Sequence, residues 1–349
     1  MTSKVIPHSR PTITEDDVQA VARILRSGML ITGGETERFE EEFAAFVGAT
    51  GAVAVSSGTA ALHLALQALG VGSGDRVLLP SYVCDSVLHA VHYVGAEPQL
   101  LDVGWNSNLA ARTALDHVTE QTRAIIVPHM FGHPVDCRPL VGRVPVIEDC
   151  ALALGATLDG RQVGSVGDLA IFSFYATKLM TTGVGGMITS RSPETLERLR
   201  DLRHHADREE YAVRYHYDMS DMEAALGRSQ LRRYDQFLKR RREIASLYLS
   251  AFQGHDIHLP QVDAGSEPAW YRFVFRAPGR GETIRRYGRA RGVVLDRPVF
   301  RGLHHCLGLD GFPITEALLR DNVSVPIYPS LTESEVRSVI ETTQQALRA

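Results

Sequence analysis

No apolar run in the sequence reaches transmembrane length, and its first residues (MTSKVIPHSRPTITEDD) lack the apolar core of a signal peptide. Neither a membrane span nor an export signal is therefore expected. Cysteine is scarce: Cys84, Cys137, Cys150 and Cys306 form no CxxC pair. That argues against a disulfide framework or a cysteine zinc site, and suits a reducing cytoplasm. No charge of one sign dominates, and a net charge of −4 leaves no basic footprint for nucleic acid or an anionic membrane. Low-complexity segments and internal repeats are missing too. What is present is a chain of 349 residues, 44% hydrophobic and 22% charged, which is an ordinary globular composition. Its length exceeds what one core tends to hold, so two domains are expected.

The N-terminal part reads as helix. Thr14 is an N-cap with Asp17 three residues on, Val18, Val21 and Leu25 follow at helical spacing, and Ser27-Gly28 is the stop. Phe39, Phe43 and Phe46 mark the core face of a second helix that Gly48 ends. Short apolar strands follow at residues 52–55, 77–80, up to Asp102, 124–127, 144–147 and 169–174, separated by helices or loops. This alternation predicts an α/β protein with a mostly parallel sheet. Ligands bind such sheets at the carboxyl ends of the strands.

Three features stand at those ends. The strand 169–174 (LAIFSF) runs through a small polar loop into Lys178 and then Gly183-Val184-Gly185-Gly186. Burial disfavours an ammonium and frees the amine lone pair, which is what Schiff-base chemistry needs. A solvated loop lysine is the plain alternative. Ser57, Gly58 and Thr59 lie between a strand and a helix lined by Leu62, Leu66 and Leu69. Free N–H groups, the helix dipole and the two hydroxyls would make a phosphate cup, although the same residues also make a good N-cap. Glu148-Asp149 ends a third strand, roughly 30 residues before Lys178, about one strand-to-strand unit. An acid there can pair with a protonated pyridine nitrogen, as a pyridoxal phosphate (PLP) site requires; a helix N-cap is the alternative role for Asp149.

Residues 193–210 form a charged helix and loop in which His204-His205 takes no assigned role. A helix over 219–231 presents Met222, Ala225, Leu226 and Ser229 on one face, and a long basic helix covers 232–252. Beyond Gly254 the texture changes, with Pro260, Pro268 and Pro278, an alternating strand at 271–276, a basic helix at 282–291 and a last helix capped by Thr332. The domain boundary is placed near residue 240, giving a large unit over 1–240 and a small one over 241–349.

Taken in order, residues 56–62, Glu148-Asp149, 173–178 and 183–186 resemble the DegT/StrS family of PLP-dependent aminotransferases. The family is best known for aminating keto sugars attached to nucleotides. The resemblance spans nearly the whole chain, from SGMLIT (27–32) through Pro128-His129, Phe131-Gly132 and Ala224-Ala225-Leu226-Gly227 to VPIYPSLT (325–332). It implies fold type I: a large PLP domain with a central, mainly parallel seven-stranded mixed sheet, and a smaller C-terminal α/β domain. It also implies a homodimer with active sites at the subunit interface. By matching position Lys178 would form the Schiff base, and Asp149 would pair with the pyridine nitrogen. Gly58, Thr59 and Ser173 would hold the phosphate, and Ala151 would pack on a ring face. Glutamate or glutamine is the usual donor, and a keto or aldehyde sugar, typically nucleotide-linked, the usual acceptor. Family members that dehydrate sugars carry histidine at the lysine position, so Lys178 favours transamination.

The chain departs from the family pattern at three places. Leu152 replaces a polar residue that touches the ring hydroxyl, and Cys84 replaces a stacking aromatic. His216-Tyr217-Asp218-Met219 replaces an Asn-x-Arg-Met segment, with His216 a candidate for the missing phosphate donor. His304, His305 and Arg297, with Arg301 nearby, fall where substrate contacts are often found. Other PLP chemistry on a non-sugar substrate, such as elimination or carbon–carbon bond reactions, stays open on sequence, as does a non-catalytic PLP-fold protein.

Overall fold

The computed structural model describes residues 5–206 and 209–349. Helices α1 (Glu15–Ser27) and α2 (Gly34–Val47) precede strand β1 (Gly51–Val55) and helix α3 (Gly58–Ala68). Then come β2 (Arg76–Pro80), α4 (Ser86–Tyr93), β3 (Glu97–Leu101), α5 (Ala111–Leu115), β4 (Thr122–Pro128) and β5 (Val146–Asp149). A small hairpin, β6 (Thr157–Leu158) and β7 (Arg161–Gln162), leads to β8 (Leu169–Ser173) and β9 (Gly186–Ser190). Helices α6 (Pro193–Arg203), α7 (Asp221–Leu231) and α8 (Tyr234–Phe252) follow. The remainder holds β10 (Ser266–Glu267), β11 (Phe273–Arg276), α9 (Gly281–Ala290), α10 (Leu303–Leu307), α11 (Pro313–Asp321), β12 (Asn322–Val325) and α12 (Glu333–Arg348).

Seven strands form the central sheet in the order β1-β9-β8-β5-β4-β2-β3. All run parallel except β9, which is antiparallel to both of its neighbours. This is the mixed, mainly parallel sheet expected from the alternation of strands and helices. Both faces are buried, as the side-chain alternation shows. Val53, Val55 and Ile171 pack with Leu62 and Leu66 of α3 and Val87 of α4. Ala52, Ala54 and Phe172 pack on the other face with Phe39 and Phe43 of α2. Phe43 meets Phe172 and Phe174 edge-on, with ring centres 4.9 and 5.4 Å away.

Helix α1 turns a different face inward from the one its apolar spacing suggests. Ala20 and Ile24 pack against Ala225 and Met222 of α7, while Val18 and Leu25 are exposed. The cause is a buried acid. Asp17 accepts hydrogen bonds from Ser229 Oγ (2.7 Å), Gln230 Nε2 (2.9 Å) and Arg233 Nη2 (2.6 Å), and this anchor fixes the rotation of the helix.

Helix α8 belongs to two cores. Its first half (Tyr234, Phe237, Leu238) packs with the sheet layer, and its second half (Ile244, Tyr248, Phe252) packs with β11, β12 and α12. The C-terminal core includes Ile6 from the start of the chain. Among the described residues no helix is long and apolar enough to cross a membrane.

Candidate active site

The C-terminal ends of β1, β2, β4, β5 and β8 open on one rim of the sheet. There they enclose a cavity of about 430 Å³. Nine of the ten cofactor candidates read from sequence line it: Ser57, Gly58, Thr59, Cys84, Asp149, Ala151, Leu152, Ser173 and Lys178.

Ser57 caps α3, its Oγ accepting the Ala60 N–H at 3.0 Å. That hydroxyl is committed to the helix. The amides of Gly58 and Thr59, in the first turn, have no intrahelical partner and sit at the positive end of the dipole. Gly58 lies so near Ser173 that a methyl group on it would come within 2.9 Å of Ser173 Cβ. Glycine is thus required here by space, and the Ser173 hydroxyl stands beside the free amides.

Asp149 ends β5 and is buried. Its Oδ1 accepts the Ala151 N–H at 3.0 Å, and its other oxygen makes no hydrogen bond to the described residues. Burial pushes its carboxyl above the usual range, partly offset by the Ala151 N–H and by Lys178. A frame behind it fixes its direction. The Val135 N–H donates to His129 Nδ1 (2.9 Å), so the ring proton is on Nε2 and is donated to Glu148 Oε2 at 3.1 Å. Glu148 also accepts the N–H groups of Gly164, Val166 and Gly167 at 2.6–2.9 Å. The backbone N–H of His129 donates to the backbone carbonyl of Asp149 at 3.1 Å. Burial raises the Glu148 carboxyl, but the His129 bond and the backbone donors outweigh it and hold the group below its usual value.

Lys178 rides on the loop between β8 and β9. The loop is tied at both ends: Phe174 N–H donates to Gly185 O (2.9 Å) and Thr182 N–H to Phe174 O (3.0 Å). Gly185 adopts φ +143°, and a methyl on Gly186 would stand 2.5 Å from the Ser57 carbonyl oxygen. The glycine run therefore exists because this loop presses against the turn before α3.

Tyr271 and Arg272, which sequence reading treated only as strand residues, also line the cavity. The Lys178 Nζ lies over the Tyr271 ring, and Arg272 Nη2 donates to the Tyr271 oxygen at 3.2 Å. Burial alone would raise the phenol, yet Arg272, Lys178 and a bond from Thr177 bring it down to about 8. Phe131, held at φ +58°, and Pro298, Val299, Phe300 and Arg301 complete the wall. Arg301 reaches the cavity; Arg297 does not line it.

The candidate histidines lie elsewhere. His216 is exposed, its ring 5.1 Å from that of His205. Asp218 bonds His204 Nδ1 at 3.0 Å. His304 is buried between Ser81 and Glu316, and His305 also turns to Glu316. None of the three lines the cavity.

Residues 11–344 match the DegT/DnrJ/EryC1/StrS aminotransferase family. The chain is 34% identical to a dTDP-3-amino-3,4,6-trideoxy-alpha-D-glucose transaminase of Micromonospora megalomicea subsp. nigra, over 95% of each chain. Among solved structures it superposes on the aminotransferase TlmJ of Streptoalloteichus hindustanus with a TM-score of 0.94, at 32% identity and 99% coverage of both chains. Spr1654 of Streptococcus pneumoniae in its PLP form aligns with a TM-score of 0.93 at 27% identity, over 99% of each chain. The chain belongs to the DegT/DnrJ/EryC1/StrS aminotransferase family.

Proposed function

We propose that the protein moves an amino group from an amino acid, glutamate or glutamine, to a keto or aldehyde sugar carried on a nucleotide. One observation carries this reading: the Lys178 amine, a buried acid (Asp149) with one oxygen unbonded among the described residues, and the open first turn of α3 beside Ser173 converge on one cavity. That donor set fits PLP. The free amides of Gly58 and Thr59 with the Ser173 hydroxyl suit its phosphate, Asp149 its ring nitrogen and Lys178 its aldehyde.

Bound there, PLP supplies an electron sink that stabilises negative charge on the substrate carbon. The chain supplies the rest. Asp149, fixed by the Ala151 N–H and the His129–Glu148 frame, would hold a proton on the pyridine nitrogen. Lys178, the amine that would hold the aldehyde, would also be the base placed to take and return the substrate proton. Ala151, Cys84 and Leu152 form apolar or weakly polar walls, so Leu152 would offer no donor to a ring hydroxyl there. Arg272 and Arg301 are the cationic wall groups suited to the donor carboxylate or to the acceptor's phosphates.

The reading includes a homodimer. Tyr175, Val184 and Phe300 line the cavity mouth yet are exposed, Phe300 at 87%, and a second copy would cover them. It includes a boundary near residue 240, supported by the change of core along α8, and a cytoplasmic location, supported by four free cysteines.

The test is the visible absorbance of the purified holoprotein before and after L-glutamate, beside Lys178→Ala, followed by a screen of nucleotide-linked keto sugars. Glutamate should bleach the wild-type band and a keto sugar should restore it, with neither change in the variant. A band that no amino acid alters, or restoration by 2-oxo acids but by no sugar, would overturn the proposal.

A further inference from the structure

We infer that His304, His305 and Glu316 form a binding site for one divalent transition metal ion of the zinc class, set behind the wall of the cavity. One nitrogen from each ring and one Glu316 carboxylate oxygen all lie within 4.8 Å of one another. His304 Nε2 is 2.7 Å from Glu316 Oε1, and His305 Nε2 contacts the same oxygen. Two imidazoles and one carboxylate are a donor set that favours zinc, nickel or copper over magnesium or calcium, which prefer oxygen alone.

The scaffold holds these groups in place. His304 is buried, its Nδ1 2.6 Å from Ser81 Oγ, and that oxygen also takes the His304 N–H at 3.2 Å. A hydroxyl on the far nitrogen of a ligating imidazole is the outer contact that fixes ring and tautomer: in the ion-bound form Nδ1–H would donate to Ser81, leaving the Nε2 lone pair for the metal. The ring is also stacked on Phe312 at 4.8 Å. Asp102 anchors the start of α11 by accepting the N–H groups of Ile314 and Thr315 (2.9 Å each) and the Thr315 hydroxyl (2.7 Å). Ser81 and Asp102 each follow a strand of the sheet, β2 and β3, so the two short helices are registered against the same rim.

Access is open on the other side. The His305 and Glu316 side chains are 42% and 51% exposed. With no ion, the two Nε2 atoms share one carboxylate oxygen, while Glu316 Oε2 makes no hydrogen bond to the described residues. Zinc bound to nitrogen and oxygen at about 2.0–2.2 Å spaces its donors roughly 3.3 Å apart. Both ring nitrogens now lie closer than that to the Glu316 oxygen, so the exposed Glu316 and His305 must move apart to admit the ion, and water completes the tetrahedron. Among the described residues, the other group of comparable chemistry, His129, Cys137 and Glu148, is wholly buried, and hydrogen bonds already occupy Glu148. A metal ion at the exposed group cross-links α10 to α11. Helix α10 directly follows the wall residues Pro298, Val299, Phe300 and Arg301, so the ion stiffens that wall.

Holoprotein stripped with chelator is titrated with zinc chloride by calorimetry, with magnesium chloride as the comparison and thermal unfolding as a second readout. One zinc ion per chain should bind and raise Tm by a few degrees, while magnesium does neither. His305→Ala and Glu316→Gln should each weaken binding at least about tenfold and abolish the Tm rise. Both positions are exposed, so both variants should fold as the wild type does without zinc. Absence of stoichiometric zinc binding, or binding that both variants retain, would overturn the site; retained binding would place the ion at other histidines.

Discussion

The Lys178 amine stands 5.4 Å from the centre of the Tyr271 ring, with the Arg272 guanidinium 4.5 Å from the same ring. Two cations against one buried phenol lower the cost of ionising it, which is why Tyr271 is brought down to about 8 in spite of burial. Tyr271→Phe should remove one phenolate step near pH 8 from the ultraviolet titration of the cofactor-free protein. Tyr82, Tyr234, Tyr248 and Tyr328 are all pushed up by burial, so the step is well separated from theirs. Loss of a proton partner beside Lys178 should also lower kcat/KM by about a hundredfold. Superimposable titrations of wild type and variant below about pH 9 would refute the assignment.

Asp149 costs stability where it is most useful. Its folded proton affinity is raised, so its ionised form disfavours the folded state above the unfolded carboxyl's range, and the penalty is relieved as pH falls. Asp149→Asn should therefore raise the Tm of the cofactor-free protein at pH 7. The same change should cut turnover by at least about a hundredfold, because a neutral amide no longer stabilises the ring proton. A variant with lower Tm at neutral pH would contradict this account.

Gly58→Ala puts a methyl 2.9 Å from Ser173 Cβ. Cofactor affinity should fall by about tenfold or more, since the clash displaces the first turn of α3 from Ser173. Adding Ser173→Gly to make the double variant removes the clash, so a cycle of the two should show strong coupling in PLP affinity. Additive losses would mean that the two residues do not share a seat.

Glu148→Gln replaces an acceptor of four donors by a group that turns an NH2 toward some of them. The expected loss is about 2–4 kcal/mol at pH 7. Glu148 has a folded value below its ordinary 4.5, so its stabilisation is complete above that pH and is lost as pH falls. Denaturant unfolding of the two proteins should thus differ most at neutral pH and converge in acid. A constant gap down to about pH 3 would sink the idea that the ionised form is what the fold uses.

The parts of the site that sequence made legible are those written within one short stretch. Lys178 beyond a buried strand, Asp149 at a strand end and Gly58 opening a helix each carry their meaning in their neighbours. Tyr271 carries none: its alternating segment says strand, and only the packing of the C-terminal part brings it over a lysine far back in the chain. His304 and His305 are similar, since Ser81 and Glu316 decide where the rings turn. The core face of α1 was hidden because a buried polar anchor, Asp17, outweighs two apolar side chains that remain in solvent. The short helices α5 and α11 are too brief for periodicity to register. The sheet was easier to read, because buried parallel strands are continuous apolar runs.

The single reversed strand, β9, acts as a ruler. It lies between β1 and β8, so the residues leading into Lys178 and those leading into the turn of Gly58 are both in hydrogen-bonded register with it. The span between Ser173 and the turn of Gly58 is therefore counted out in rungs of a ladder and does not depend on the lysine loop. Insertions between Ser173 and Lys178 should displace the amine and leave the phosphate seat intact. A one-residue slip of β9 should shift both groups at once and erase the site without unfolding the sheet.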